Sequence, residues 1–362
     1  MIKVYVSRFD REVDSEPHLE CYEIEQTPQM KVLDAINAIN EKYDADISIR
    51  SSCRAGQCGS CGILFNGNGA LACQKDIKDG AIIEPQNFPV IKDLIVDKSQ
   101  IEQEVKDLQL SLNPQRHDDD LNENLTPENI KNTKKVRSCI ECYSCFATCP
   151  VIKFIKTKFG GPYIMRYLSK FESDPRDEFD RLDESLKEGL YKCTSCGKCK
   201  AVCPKDINTF GDAIERLREI ACKEGKGPLP EHVAFKENIE KTGRSIKAEG
   251  PSFIEEVKND NGSKIALFTG CMVDNKLHHI GEALIDVLEA NGITIDIPEG
   301  QVCCGSPLIR TGQTDMVQEL VDGGTFLLNC PWDAEGLEKL YLPFVQDAVP
   351  PLKMTIQNMD PI

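Results

Sequence analysis

A long hydrophobic run, a secretory start and an excess of basic residues are all missing from this chain. It has no uninterrupted apolar stretch of about 18 residues, which excludes an ordinary transmembrane helix. The opening MIKVYVSRFD alternates like a strand and has no basic segment before an apolar one, so we expect a cytoplasmic protein without a signal peptide. The formal net charge of −16 argues against a nucleic-acid-binding surface.

Cysteine, by contrast, is abundant. The 362 residues include 18 cysteines, and the length suggests about two to four domains. Because a long chain without a secretory start is not a small disulfide-stapled scaffold, this many cysteines indicates metal or redox chemistry. No glycine-rich phosphate loop and no nucleophile–base pair stands out, so we expect no flavin site in this chain.

The first hundred residues have the pattern of a small sheet with one helix. Residues 2–6 and 20–24 alternate as strands, and residues 30–43 repeat with helical spacing. A loop rich in glycine and cysteine follows at residues 52–62. One face of the predicted helix carries Val32, Leu33, Ile36 and Ile39.

The rest of the chain changes character twice. Residues 101–112, 164–190 and 212–224 have helical spacing. Further along, apolar strands at residues 264–268 and 293–297 enclose a helix at 276–290. That order predicts a βαβ unit, with Thr269–Cys271 as a turn and Gly292 ending the helix.

The first cysteine motif is CRAGQCGSCG, followed by a later cysteine in LAC. The spacing C-x4-C-x2-C with a distant fourth cysteine is typical of a plant-type [2Fe–2S] cluster. Glycines in this loop let the backbone approach the cluster and aim N–H groups at its sulfurs. A structural zinc site is the alternative, although zinc sites favour paired C-x2-C spacings. The predicted ligands are Cys53, Cys58, Cys61 and Cys73.

The second and third motifs, CIECYSCFATCP and CTSCGKCKAVCP, are the strongest signal. Both follow C-x2-C-x2-C-x3-C-P, which is typical of [4Fe–4S] clusters whose fourth cysteine serves the other cluster. We therefore predict two [4Fe–4S] clusters with crossed ligands. One is assigned to Cys139, Cys142, Cys145 and Cys203, and the other to Cys193, Cys196, Cys199 and Cys149.

These three motifs in this order, with the stretch PVIKDLIVDKS, resemble the iron–sulfur subunits of succinate dehydrogenases and fumarate reductases over about residues 1–225. The resemblance implies a flavoprotein partner that carries FAD and interconverts succinate and fumarate, while this chain relays electrons. Many quinone-linked relatives lack the second cysteine of the third motif and hold a [3Fe–4S] cluster there. Cys196 occupies that position here, so we expect a full [4Fe–4S] cluster.

The segments FTGCMVDN and VCCGSP are similar to the first half of the cysteine-rich (CCG) repeat found in heterodisulfide reductases. In that family, two such repeats hold non-cubane [4Fe–4S] clusters that act on the disulfide of coenzymes M and B. The combined architecture resembles the thiol:fumarate reductases of methanogens, which implies coenzyme M and coenzyme B thiols as electron donors. Cys271, Cys303 and Cys304 are thus candidate thiol-site residues and candidate ligands of a further non-cubane cluster.

The CCG repeat is incomplete, because only Cys330 follows and no C-x2-C pair appears. We expect a C-terminally truncated chain, with ligands supplied from elsewhere or a metal-free cysteine cluster as alternatives. Cys21 and Cys222, outside any motif, are expected to be buried thiols, and His278 and His279 a surface pair on a helix. For the whole protein, the alternatives are a quinone-linked succinate dehydrogenase or fumarate reductase subunit, a general electron carrier, and a defective product with intact relay clusters.

The expected fold class is α+β and multidomain. Residues 1–98 should form a β-grasp [2Fe–2S] ferredoxin domain, and residues 99–250 an α-helical domain with two [4Fe–4S] clusters. Residues 251–322 should form a partial α/β CCG domain, and residues 323–362 a divergent tail.

Overall fold

The computed structural model describes residues 1–113, 126–155, 158–248, 250–263 and 265–322, and divides into two compact units. The first unit is Met1–Leu217, and the second begins at Arg218. The predicted tail and Cys330 lie outside the described residues. No helix in the described ranges has both the length and the apolar composition of a membrane span.

A five-stranded sheet with the order β2-β1-β5-β3-β4 organises the start of the first unit. Strand β1 pairs antiparallel with β2 and parallel with β5, while β6 and β7 form a separate pair. This confirms the two strands predicted at residues 2–6 and 20–24. The strands are β1 (Ile2–Arg8), β2 (His18–Ile24), β3 (Gly62–Phe65), β4 (Asn68–Leu71), β5 (Ala81–Glu84), β6 (Val90–Lys92) and β7 (Ile95–Val96).

The helix α1 (Val32–Tyr43) lies across this sheet, as the sequence predicts. Its predicted apolar face is buried in one core with Val4 and Ile83 of the sheet. Each large apolar side chain buried there contributes about 1.5–3 kcal/mol. Asp44 ends the helix in the left-handed conformation, with φ 50°. The glycine- and cysteine-rich loop leads into β3 and has no regular structure of its own.

The helical part of the first unit differs from the sequence pattern at two places. The predicted helix at 101–112 ends at Asp107, because Gln109 has a φ of 45°. The predicted helical stretch at 164–190 is broken at Pro175, because proline cannot continue a helix. The preceding residue, Asp174, accepts hydrogen bonds from the Arg137 side chain and from the Arg176 amide. The α-helices are α2 (Ser99–Asp107), α3 (Pro127–Arg137), α4 (Ser144–Thr148), α5 (Gly161–Glu172), α6 (Arg181–Lys187) and α7 (Lys198–Ala201), and a further helix, α8 (Arg216–Lys223), spans the point where the units divide. Shorter turns are a 3-10 helix at Leu190–Lys192 and π-helices at Val151–Ile155 and Thr209–Glu215.

Only part of the predicted βαβ unit is present: the helix forms, but in the described residues the two strands do not. Its strands are reduced to one parallel bridge between Ala266 and Asp296, and residue 264 lies outside the described ranges. The predicted turn at residues 269–271 was wrong, because a helix begins at Gly270. The helices are α9 (Pro230–Thr242), α10 (Phe253–Val257), α11 (Gly270–Asn275), α12 (His278–Ala290), α13 (Ser306–Thr311) and α14 (Asp315–Asp322).

The predicted domain boundaries at 98/99, 250/251 and 322/323 stay predictions. The boundary at residue 250 lies inside the second unit, whose core includes Ile239 of α9 together with Cys303 and Leu308. Helix α9 therefore packs with the cysteine-rich block that follows it in the chain.

Candidate functional site

The loop before β3 wraps its backbone around the Cys53 thiol. The amides of Ala55, Gln57 and Cys58 donate hydrogen bonds to Cys53 Sγ at 3.4, 3.3 and 3.3 Å. Positive φ values at Gly56 and Gly59, 65° and 70°, make these turns possible. Three N–H groups aimed at one sulfur suit a metal-bound cysteine.

The other three predicted [2Fe–2S] ligands meet at the same place. Cys58 Sγ and Ser60 Oγ are 3.1 Å apart, and this hydrogen bond lowers the pKa of Cys58 to about 6. Burial raises the pKa of Cys61 to about 11, and Cys58 and Cys73 lie close enough to influence that pKa. Cys61 and Cys73 are buried, whereas Cys53 and Cys58 are exposed. The donor set, three thiols on a loop of turned-in amides together with Cys73 after β4, fits a [2Fe–2S] cluster.

This loop packs backbone to backbone against the second cysteine motif. A Cβ added to Gly59 would lie 2.3 Å from the Ile140 carbonyl oxygen, and one added to Gly62 would lie 2.7 Å from the Cys142 carbonyl oxygen. Real Cβ atoms do not approach other atoms so closely, so only glycine permits this contact. The first cysteine site and the run that starts at Cys139 are therefore direct neighbours.

Two polar residues on the chain between β5 and β6 complete this contact. The Gln86 amide donates to the Cys142 carbonyl oxygen at 2.8 Å, and the Asn87 amide donates to the Ala147 carbonyl oxygen at 2.6 Å. Gln86 is 1% exposed. Neither residue belongs to a recognisable motif, so sequence reasoning missed both, and only their contacts in the fold reveal them.

The first CP run brings three cysteines together with Cys203 of the second run. Cys139 and Cys203 lie close enough to the buried Cys142 thiol to raise its pKa. The same two cysteines pack on one small apolar core with Val136 and Ile207. Burial raises the pKa of Cys145 well above its usual range, and the neighbouring Cys142, Cys139, Cys199 and Cys203 add to that shift. Thiols whose pKa is raised in this way need metal charge to stay ionised.

The second CP run encloses a small cavity together with Cys149 of the first run. The cavity is lined by Cys149, Cys193, Cys196 and Cys199, and by apolar side chains that include Phe159 and Phe210. The Ser195 amide donates to Cys193 Sγ at 3.4 Å, and burial raises the pKa of Cys199 to about 12. Each run therefore sends its last cysteine to the other, which fits the crossed arrangement that the prolines predict.

Basic residues near the second CP run have protein partners. The Lys192 ammonium donates to the Lys158 carbonyl oxygen at 2.6 Å, and the Lys205 ammonium donates to Gln57 Oε1 at 2.7 Å. Gln57 belongs to the loop around Cys53, so Lys205 ties that loop to the end of the second run.

In the second unit, Cys271, Cys303 and Cys304 lie side by side. Hydrogen bonds with Cys303 lower the pKa values of Cys271 and Cys304 to about 6, and the same contacts raise that of Cys303. The Ser245 amide donates to Cys271 Sγ at 3.4 Å. The structure thus brings together the three predicted thiol-site residues, while Cys330 lies outside its described residues.

The remaining candidates behave differently. The expectation of a buried Cys21 was wrong, because this residue of the edge strand β2 is exposed. Cys222 is half-buried and donates to the Thr311 carbonyl oxygen at 3.5 Å. His278 Nε2 lies 2.9 Å from the Asp274 carbonyl oxygen. Within the described ranges, no three His, Cys, Asp or Glu side chains are placed to hold a single metal ion.

Three protein families match successive parts of this chain. Residues 3–103 match the 2Fe-2S iron-sulfur cluster binding domain, and residues 135–207 match the 4Fe-4S dicluster domain. Residues 265–324 match the cysteine-rich CCG domain. The matches follow the three cysteine-bearing regions described above, and they confirm the predicted α+β architecture with its [2Fe–2S], [4Fe–4S] and CCG parts.

Among curated proteins, the chain is 53% identical over 322 residues to a subunit of the "Fumarate reductase (CoM/CoB)" of Methanothermobacter marburgensis. The match covers 89% of this chain and 65% of that relative, so the chain spans about two thirds of the relative's length. It is also 35% identical to the fumarate reductase iron-sulfur subunit of Mycobacterium tuberculosis, with 60% of this chain and 91% of the relative covered.

A solved structure shares the fold over much of the chain. A chain of the Mycobacterium smegmatis Sdh1 complex in the apo form matches with a TM-score of 0.57 and 27% identity. The match covers 63% of this chain and 98% of the other. Together with the curated relatives, it shows that this chain belongs to the family of fumarate reductase iron–sulfur subunits.

Proposed function

We propose that this chain is the electron-relay subunit of a fumarate reductase that is driven by thiol oxidation. The donors would be coenzyme M and coenzyme B, which lose two electrons and two protons as one disulfide bond forms. The acceptor would be FAD on a flavoprotein partner, where fumarate gains two electrons and two protons to give succinate. Iron–sulfur clusters supply the one-electron redox chemistry that such a connection needs.

The observation that carries this proposal is the contiguity of the three predicted ligand sets in the first unit. The loop around Cys53 touches the run at Cys139–Cys149 through Gly59 and Gly62, and the two CP runs exchange their last cysteines. Sites in direct contact suit electron transfer in series. Electrons from the thiol donors would pass the site of Cys193 first, the site of Cys139 next and the [2Fe–2S] site last, before they reach FAD.

In this proposal the ligands are those that the motifs predict. Cys53, Cys58, Cys61 and Cys73 hold the [2Fe–2S] cluster. Cys139, Cys142, Cys145 and Cys203 hold the first [4Fe–4S] cluster, and Cys193, Cys196, Cys199 and Cys149 hold the second. The chain's own contribution is to donate amide hydrogen bonds to ligand sulfurs, to bury Cys145 and Cys199 in part, and to fix the distance between sites.

The thiol donors rest on separate support. The Methanothermobacter relative carries CoM/CoB in its name, and Cys271, Cys303 and Cys304 are adjacent in the block that matches the CCG family. A further non-cubane [4Fe–4S] cluster there belongs to the proposal, and its missing ligands would have to come from outside the described residues. We also propose a cytoplasmic location for the complex.

Iron analysis of the anaerobically purified chain, co-produced with its flavoprotein partner, tests the relay. We expect about ten iron atoms per chain when only the relay clusters form, since the cluster types add two, four and four. A stable complex with one FAD should oxidise reduced viologen when fumarate is added. About six iron atoms would contradict the pair of [4Fe–4S] sites, and the absence of a stable partner would favour a general electron carrier.

A quinone-linked succinate dehydrogenase or fumarate reductase is the second candidate, because the Sdh1 structure matches 63% of this chain. Cys196 weighs against it, since a complete C-x2-C-x2-C run predicts a [4Fe–4S] cluster where many quinone-linked relatives have [3Fe–4S]. Membrane association of the native complex together with quinone-dependent activity would favour this candidate over the thiol-driven enzyme.

A further inference from the structure

Lys98 holds a half-buried positive charge beside the first [4Fe–4S] site. Its ammonium lies 4.5 Å from the centre of the Tyr143 ring. Tyr143 stands between Cys142 and α4 in the chain, with a φ of 59° that turns the run toward Cys145. Lys98 precedes α2, and its neighbour Asp97 anchors the backbone by donating its amide to the Pro89 carbonyl oxygen at 2.8 Å.

The Tyr143 ring is fixed by its own neighbours. It packs edge-on against Phe88 with centroids 5.6 Å apart, and against Tyr163 at 4.5 Å. Its hydroxyl donates to the Tyr163 hydroxyl at 3.3 Å, and the residue is 8% exposed. A ring held on several sides gives the Lys98 ammonium a fixed contact close to the Cys142 turn.

Within the described ranges, Lys98 has no carboxylate at ion-pair distance. The charged groups that act on it are Arg50, which opposes its charge, and Cys142 and Glu102, which favour it. Burial lowers the pKa of Lys98, and among the groups that counter this the Cys142 thiol comes before Glu102. The Lys98 ammonium therefore lies close enough to the first site for the Cys142 thiol to be among the groups that act on its charge.

We propose that Lys98 raises the reduction potential of the iron–sulfur cluster held by Cys139, Cys142, Cys145 and Cys203. This inference rests on the proposed function, because it needs a [4Fe–4S] cluster at that site. Reduction adds one negative charge to a cluster, and a fixed cation nearby stabilises the reduced form more than the oxidised form. Lys98 would thereby favour electron occupancy at the middle site of the series.

The test is an EPR-monitored redox titration of the anaerobic holoprotein with Lys98→Met. Methionine keeps an unbranched apolar side chain beside the Tyr143 ring but removes the charge. We expect the potential of one [4Fe–4S] signal to fall while the other keeps its value. Lys98→Arg retains the charge and the stacking and should keep the potential of the wild type.

Lys106→Met is the matched control, because it removes the same charge from an exposed position about two turns farther along α2. Unchanged [4Fe–4S] potentials in Lys98→Met, or an equal fall in Lys106→Met, would overturn the inference. Iron content and visible absorption report whether a variant has folded, and Lys98→Gln serves as a second neutral variant if Met does not fold. Absence of any [4Fe–4S] signal in the wild type would instead overturn the proposed function.

Discussion

Gly59 shows how strongly the cluster sites depend on a missing side chain. Its φ of 70° and the 2.3 Å that would separate a Cβ from the Ile140 carbonyl oxygen both require glycine. The same close approach occurs at Gly62 and at Gly69, where a Cβ would lie 2.4 Å from the Ser144 carbonyl oxygen. Three glycines thus bring the [2Fe–2S] domain and the next cysteine run into contact.

Gly59→Ala should separate the two sites. We expect a lower midpoint of thermal unfolding and a smaller [2Fe–2S] absorption per chain, because the added methyl group forces the Ile140 backbone away. Gly80→Ala is the control, since Gly80 has a φ of 72° and open space around it. Both variants bear the left-handed strain of roughly 1–2 kcal/mol, so equal effects would contradict a role for the contact itself.

Cys203→Ser should damage the first [4Fe–4S] site although Cys203 belongs to the second run. The reason is its position beside Cys139 and Cys142. EPR of the reduced protein should lose the signal assigned to the Cys139 site and keep most of the other. Exposed Cys21→Ser is the control and should retain both signals. Selective loss of the Cys193 site would refute the crossed assignment.

At this scale the cysteines could be predicted from the sequence, while their supporting residues could not. Cluster ligands follow fixed spacings because the loops that wrap a cluster are short. Gln86 and Lys98 act through contacts made by the fold, between residues 45–56 positions apart in the chain. Single polar residues carry no spacing pattern, so only the structure brings them to the site.

Among the elements, α2 carries Glu104, whose carboxylate form is disfavoured by its surroundings. Burial raises the pKa of Glu104 to about 7, and the nearby Glu188 adds to the shift. Lys158 pairs with Glu188 at 2.9 Å and only partly offsets this. Because the folded-state pKa lies above the unfolded value, the stability from neutral Glu104 is complete below about pH 4.5 and is lost as the pH rises through about 7.

Glu104→Gln should therefore stabilise the first unit at pH 8 and have little effect at pH 5. A gain of about 1 kcal/mol would raise the thermal midpoint by roughly 2–4 °C at pH 8. Anaerobic calorimetry at both pH values provides the measurement. Glu41→Gln, on the exposed part of α1, should change neither midpoint. An equal gain at both pH values would show that the ionisation of Glu104 is not the cause.

The elements also show where periodicity fails as a guide. It placed α1 correctly, because a helix packed on a sheet must bury one face. It missed the end of α2 at Asp107 and the break at Pro175, where local turn geometry overrides the apolar pattern. In the second unit, the apolar runs around Ala266 and Asp296 are joined by one parallel bridge and not by a strand pair. The apolar pattern of a run does not show how many backbone hydrogen bonds the run will make with its neighbour.

For the whole molecule, the relay sites and the thiol site belong to different compact units. The first unit, Met1–Leu217, brings together twelve predicted ligands, and the second brings together Cys271, Cys303 and Cys304. A thiolate-bound cluster needs a full ligand set. The relay clusters can therefore form independently of the thiol site.

We expect Cys303→Ala to leave fumarate reduction with reduced viologen unchanged and to abolish the activity with coenzyme M and coenzyme B, because Cys303 contacts both Cys271 and Cys304. The viologen can deliver electrons to the relay clusters, whereas thiol oxidation depends on the CCG block. Parallel assays on one anaerobic preparation, with fumarate-dependent succinate formation as the readout, compare the two donors. Loss of the viologen activity as well would show that Cys303 serves the relay and not a separate thiol site.

The exchange of Cys149 and Cys203 has a consequence for biogenesis. On the proposed ligand assignment, neither [4Fe–4S] cluster can be inserted into a finished pocket until α5 and α6 have brought the two runs together. Maturation of the pair should then be all-or-none, and half-loaded chains should be short-lived. Oxidative loss of one cluster would likewise release a ligand of the other, so oxygen damage should spread from one to both.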